Sequence, residues 1–107
     1  MRELLARAVP PTAVVAFNDR CATGVLDTLA RHGRRIPEDM SVIGYDDSRL
    51  ARAPHVQLTT ISQDAPQLAG AAVDGALRLG AGGAATEVVL TPRLVQRATT
   101  DPARSRS

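Results

Sequence analysis

A carboxylate at the mouth of a cleft can accept two hydrogen bonds from adjacent hydroxyls of a sugar or nucleoside. Asp19 has that setting, because it follows the apolar run Thr12–Phe17 and the single residue Asn18 and opens a helical stretch. Ligands of open α/β folds gather at this carboxyl edge of the sheet. A plain helix cap explains Asn18-Asp19 as well, and on residue types alone it is the commoner cause. Gly44-Tyr45-Asp46-Asp47 resembles an active-site loop, yet adjacent carboxylates after a strand more often make a turn.

Other chemistries find less support. His32 and His55 stand without Cys or Glu at ligand spacing, so no metal site is expected. No motif places a Ser or Cys nucleophile beside either histidine, and no catalytic residue is assigned. The single Cys21 excludes an intrachain disulfide and reads as a small core thiol. Gly80 to Gly83 follow a helix rather than open one, which suits a linker and not a phosphate-binding loop. Arg31, Arg34 and Arg35 suit a solvated helix end better than a phosphate contact.

The elements that must position Asp19 are legible from periodicity. Arg2 to Val9 read as a helix end closed by Pro10-Pro11. Thr12–Phe17 is an unbroken apolar run of strand length, which predicts a strand covered on both faces. Ala22, Val25, Leu26, Leu29 and Ala30 mark one face of a helix from Asp19 to His32, stopped by Gly33. Ser41–Tyr45 is a second strand, and strand–helix–strand with short linkers predicts a parallel βαβ unit. One helical turn is expected at Ser48–Arg52 and a β-branched strand at Leu58–Ile61. A second helix should run from Ala65 to Leu79, with Pro66 harmless in its first turn. Glu87–Leu90 and Arg93–Gln96 read as closing strands, and Asp101–Ser107 as a disordered tail. The class is α/β.

With 107 residues the chain is one domain at most, and about two thirds of its unfolded surface can be buried. Phe17 and Tyr45 are the only aromatics, so the core must come from Val, Leu, Ile and Ala. The 13 basic residues are all Arg, and the net charge of +2 is too small to argue for nucleic acid by itself. No stretch approaches the roughly 18 apolar residues of a membrane span. Charges in Met1–Ala8 stand where a signal peptide needs an apolar run, so a cytoplasmic location is expected.

The ordered series Pro11–Asp19, Gly24, Gly33, Ile36–Asp47, Pro54, Leu58–Asp64 and Pro92–Arg97 resembles the sensor domain of LacI/GalR-family transcriptional regulators. The resemblance spans about residues 11 to 99. It implies a partial periplasmic-binding-protein-like (type I) lobe over residues 1–100, with the effector, a sugar or nucleoside, held between two lobes. It reverses the weighing of Asp19 in favour of effector binding, with Asn18 as its cap or neighbour, and it implies a polar effector contact at Gln63 near the lobe crossing, a loop amide bonded to backbone being the equal alternative. It implies a homodimer, with Thr23, Leu26 and Ala30 as contact candidates, although burial against the sheet explains Leu26 and Ala30 equally. DNA would be reached only through an N-terminal helix-turn-helix domain with no counterpart in this chain, and no cofactor is implied. The helix from Ala65 to Leu79 would belong to the other lobe, and Ala65 stands where several sugar-binding members carry a stacking aromatic. Two rival readings remain: a solute-binding module of a sugar transport system, and a small flavodoxin-shaped enzyme.

Overall fold

The computed structural model describes residues 1–103. The elements run α1 (Arg2–Leu5), β1 (Ala13–Val15), α2 (Asp19–Arg31), β2 (Ser41–Ile43), α3 (Arg49–Arg52), β3 (Thr60–Ser62), α4 (Ala65–Gly80) and β4 (Arg93–Val95). β1 and β2 pair in parallel, Ala13 opposite Ser41 and Val15 opposite Ile43, with α2 as the crossover. Ile43 continues the parallel pattern to Thr59 through a single bridge. β3 then pairs antiparallel with β4, Thr60 opposite Val95 and Ser62 opposite Arg93. The expected α/β class and βαβ unit are what the chain forms.

α2 forms for reasons visible in its sequence. The Asn18 side chain accepts from the Cys21 N–H at 2.8 Å, filling one orphan donor of the first turn. Ala22 and Leu29 are wholly buried, and Val25 and Leu26 pack beside them. Gly33 takes φ +65°, the left-handed turn that ends the helix without a Cβ penalty. The core beneath α2 consists of Met40 and Val42 around β2, Ala51 from α3 and Leu58 ahead of β3. As the composition requires, no aromatic belongs to it.

Three expectations need correction. The Thr12–Phe17 run is not covered on both faces, since Val15 is 76% and Phe17 86% exposed. No element among the described residues lies over that side of β1. Glu87–Leu90 does not form a strand, because extended backbone needs a paired neighbour and only Arg93–Val95 meets one. The first helix is a single turn, Arg2–Leu5, rather than a segment reaching Val9. Of the expected tail, 104–107 lie outside the described residues, while Asp101 exchanges two 3.2 Å hydrogen bonds with the Ser41 hydroxyl.

α4 stands apart from this core. Asp64 caps it by accepting from the Gln67 N–H at 3.3 Å, and none of its sixteen residues is buried. Leu68, Val73, Leu77 and Leu79 all face solvent. The radius of gyration is 18.4 Å, against about 13 Å for a compact domain of this length. The fold is thus a packed α/β portion carrying an unpacked helix.

The return of the chain closes the packed portion. Thr99 lies between β2 and the start of β3, where its carbonyl accepts from Val42 N at 2.8 Å. Its hydroxyl donates to the Val42 carbonyl at 2.7 Å and accepts from Thr59 N at 2.9 Å. We predict that Thr99→Val, which keeps the shape and orphans both buried backbone groups, lowers unfolding free energy by about 2–4 kcal/mol in urea titrations followed by far-ultraviolet circular dichroism. Thr99→Ser should retain most of the stability.

Candidate functional site

Beyond the carboxyl ends of β1 and β2 the structure opens a concavity of about 400 Å³, lined by Phe17, Asn18, Tyr45, Asp46 and Gln63. The parallel register explains the grouping. Val15 pairs with Ile43, and Asn18 and Asp46 each lie three residues further along. Gln63 follows β3 directly and donates its amide to Asp46 Oδ1 at 3.1 Å. Asn18 spends its side-chain oxygen on the α2 cap and also lines the cavity, its amide nitrogen not being used in that cap. Two aromatic rings, a carboxylate and two amides therefore share one open wall. Such a set suits a polyhydroxylated ring: apolar faces for its C–H groups, an acceptor and donors for its hydroxyls.

Of the expected site residues, Asn18 and Gln63 come together in this cavity and Asp19 does not. Asp19 is 1% exposed and turned inward. Its Oδ1 accepts from the Thr60 hydroxyl at 2.6 Å and its Oδ2 from the Ser48 N–H at 2.7 Å. Its own N–H donates to the Tyr45 carbonyl at 2.9 Å. Gly44 has to be glycine beside it, because a Cβ there would fall onto Asp19 Oδ1 and 2.7 Å from Leu58 Cδ2. Phe17, Tyr45 and Asp46 were not singled out as ligand contacts from the sequence. The equal offsets of Asn18 and Asp46 from two parallel strands were the available signal.

The loop that carries Asp46 is unusual. Asp46 has φ +115° and Asp47 φ +52°, two successive non-glycine residues in positive-φ backbone. Asp46 N donates to the Ile61 carbonyl at 2.9 Å, which ties the loop to β3. The Asp47 side chain, 6% exposed, receives Arg97 on Oδ1 at 2.6 Å and Arg52 on Oδ2 at 2.9 Å. Burial pushes the Asp47 carboxyl up, but the hydrogen bonds from Arg97 and Arg52 and their charges together outweigh it, leaving its pKa below the ordinary 3.8.

Thr23 and Leu26 are half-buried on α2 and Ala30 is exposed. Leu26 and Ala30 border a groove of about 280 Å³ with Ile36, His55 and Val56. The Thr23 hydroxyl donates back to the Arg20 carbonyl at 2.7 Å. Cys21 is exposed on the first turn of α2 rather than in the core, a correction that follows from its position one residue before the inward Ala22. Among the described residues no group of three or more His, Cys, Asp or Glu is placed to hold a metal ion.

The profile of the periplasmic binding protein-like domain matches residues 1–100. The arabinose metabolism transcriptional repressor of Halalkalibacterium halodurans is 34% identical over 106 residues, covering 92% of this chain and 28% of that protein. A LacI transcriptional regulator from a Rhodococcus species superposes with a TM-score of 0.91 at 67% identity, over 95% of this chain and 38% of that one. The chain belongs to the LacI/GalR family. The Lac repressor dimer bound to operator and the anti-inducer ONPF also superposes, with a TM-score of 0.81 at 36% identity over 92% of this chain and 35% of that one. This LacI/GalR-family chain thus spans less than two fifths of the proteins it matches, and its fold is a partial periplasmic-binding-protein-like domain.

Two outcomes follow for the acids. Asp19→Ala orphans the Ser48 N–H and the Thr60 hydroxyl and should destabilise the fold by about 3 kcal/mol in chemical denaturation, with Asp19→Asn costing less. Asp47, whose folded pKa is depressed, contributes stability that is present above pH 3.8 and lost as pH falls through the lower folded value. The stability advantage of the native chain over Asp47→Asn, measured as a urea midpoint difference, should hold from pH 7 to 5 and shrink below about pH 4.

Proposed function

We propose that this chain is the effector-sensing portion of a transcriptional regulator, and that the concavity above β1 and β2 is one wall of its small-molecule site. The arrangement that carries this reading is the grouping of Asn18, Asp46 and Gln63 with Phe17 and Tyr45 in one cavity. Asp46 is the acceptor for ligand hydroxyls, Asn18 and Gln63 are donors, and Phe17 provides a flat apolar surface. In this reading Asp19 holds the wall in shape and does not touch the ligand. A sugar or nucleoside fits the donor, acceptor and ring set, and catalysis has no part in it.

The exposed apolar groups of β1 and α4 support the same reading. A clamshell sensor needs a second wall, and Val15, Phe17 and the α4 leucines are surfaces made for covering. Effector binding between two walls would favour the closed form, and by linkage that form would then differ in operator affinity through a separate DNA-binding domain. Homodimerisation through the outer face of α2 around Thr23, Leu26 and Ala30 belongs to the proposal, in keeping with the dimeric Lac repressor. In the described residues no helix is long and apolar enough to cross a membrane.

The test is a titration of the chain with pentoses, hexoses and nucleosides at millimolar concentration, read by ¹H–¹⁵N shift changes. At least one compound should move Asn18, Asp46 and Gln63 together, and Asp46→Ala should weaken its binding about 10- to 100-fold. Shift changes confined to α4, or equal affinity in Asp46→Ala, would remove the site from this cavity.

A further inference from the structure

The Asp46 carboxylate stands at the cavity only because its backbone is held in a conformation that non-glycine residues avoid. A φ of +115° at Asp46 followed by +52° at Asp47 relaxes unless neighbouring groups impose it. Asp46 N is bound to the Ile61 carbonyl and Asp47 N reaches the Thr60 hydroxyl at 3.4 Å, and these two contacts restrain the backbone on one side. On the other side, besides the bond from Arg52 to the Asp47 carbonyl, the restraint is the Asp47 side chain. It is gripped by a guanidinium from a segment 50 residues away in sequence.

We propose that Arg97 is a positioning residue for the effector cavity, fixing the Asp46 carboxylate in place through its ion pair with Asp47; this rests on the cavity reading given above. Arg97 is built for the task. Its side chain is 15% exposed, its Nη2 lies 2.6 Å from Asp47 Oδ1, and its Nη1 donates to the Leu58 carbonyl at 3.0 Å. Its backbone N–H donates to the Thr59 hydroxyl at 3.0 Å, so the base of the side chain is anchored as well as its tip. The planar guanidinium thus spans from the start of β3 to the Asp46-Asp47 loop, a two-point hold that a lysine ammonium cannot reproduce. Arg52 meets the same carboxylate from α3 and donates to the Asp47 carbonyl at 3.0 Å, but its side chain is 62% exposed. Water competes for bonds so exposed, so the less exposed Arg97 is the stronger hold of the two.

Neither guanidinium lines the cavity, so a ligand contact and a positioning role are separable. The readout is the Gln63 side-chain amide, which reports its bond to Asp46 Oδ1 without any ligand present. In the folded chain, Arg97→Met should shift the Gln63 Nε2 and Asp46 amide resonances while those of Leu29 and Ala22 in the core stay in place. Arg97→Lys should shift the same two, and Arg52→Met should move them least. Any compound found to bind the native chain should then bind Arg97→Met at least 5-fold more weakly at temperatures where both are folded. Unmoved Gln63 and Asp46 resonances in folded Arg97→Met overturn the proposal whether or not a ligand is known. If Arg97→Met does not fold, Arg97→Lys decides by the same resonances, and failure of both to fold also overturns it by reducing the contact to global support. Should no compound bind the native chain while the resonances move as expected, the cavity reading fails and the positioning of Asp46 stands.

Discussion

One buried carboxylate joins three parts of the chain. Asp19 opens α2, and its two oxygens take the Thr60 hydroxyl of β3 and the Ser48 N–H that precedes α3. A buried charge is tolerable only when its lone pairs are met by donors, and here both oxygens are. The link ties the start of α2 to β3 and to the segment before α3, directly beside the wall formed by Asn18, Asp46 and Gln63. Gly44 follows from the same constraint, since β2 can pass so close to Asp19 only where a side chain is missing.

Much of this was legible in the residues and some was not. The spacing of Ala22, Val25, Leu26 and Leu29 places α2 within one residue of its end, and Ala65 to Leu79 gives α4 almost entire. Asn18 was recognisable because it follows a strand, and Gln63 through the resemblance, which implies a polar contact at the lobe crossing. Asp19 and Asp46 were harder, since an acid after a strand looks the same whether it turns inward or outward. What separates them is geometry from elsewhere: Thr60 and Ser48 wait for Asp19, while a positive φ turns the chain at Asp46. Periodicity carries no information on either. Glu87–Leu90 shows the opposite failure, a run with strand composition that finds no strand to pair with.

The apolar runs that seemed over-rich for a half-covered layer are consistent with the length of the relatives. Thr12–Phe17 reads as a strand sheathed on both sides, and the structure leaves Val15 and Phe17 bare. α4 carries a full apolar stripe and buries none of it. Both segments carry apolar surface that no described element covers. The LacI/GalR-family proteins to which this chain is similar are some two and a half to three and a half times its length.

The insertion of Thr99 between β2 and β3 has a consequence for the order in which the molecule can be made. Val42 and Thr59 emerge from synthesis long before the residue that satisfies both of them. A nascent chain that has reached Gln96 already holds every strand and helix of the described residues, yet Val42 and Thr59 still lack the backbone and hydroxyl partners that Thr99 brings. The keystone lies 57 residues beyond Val42 and 40 beyond Thr59, so this layer locks only once that later segment has been made and has returned.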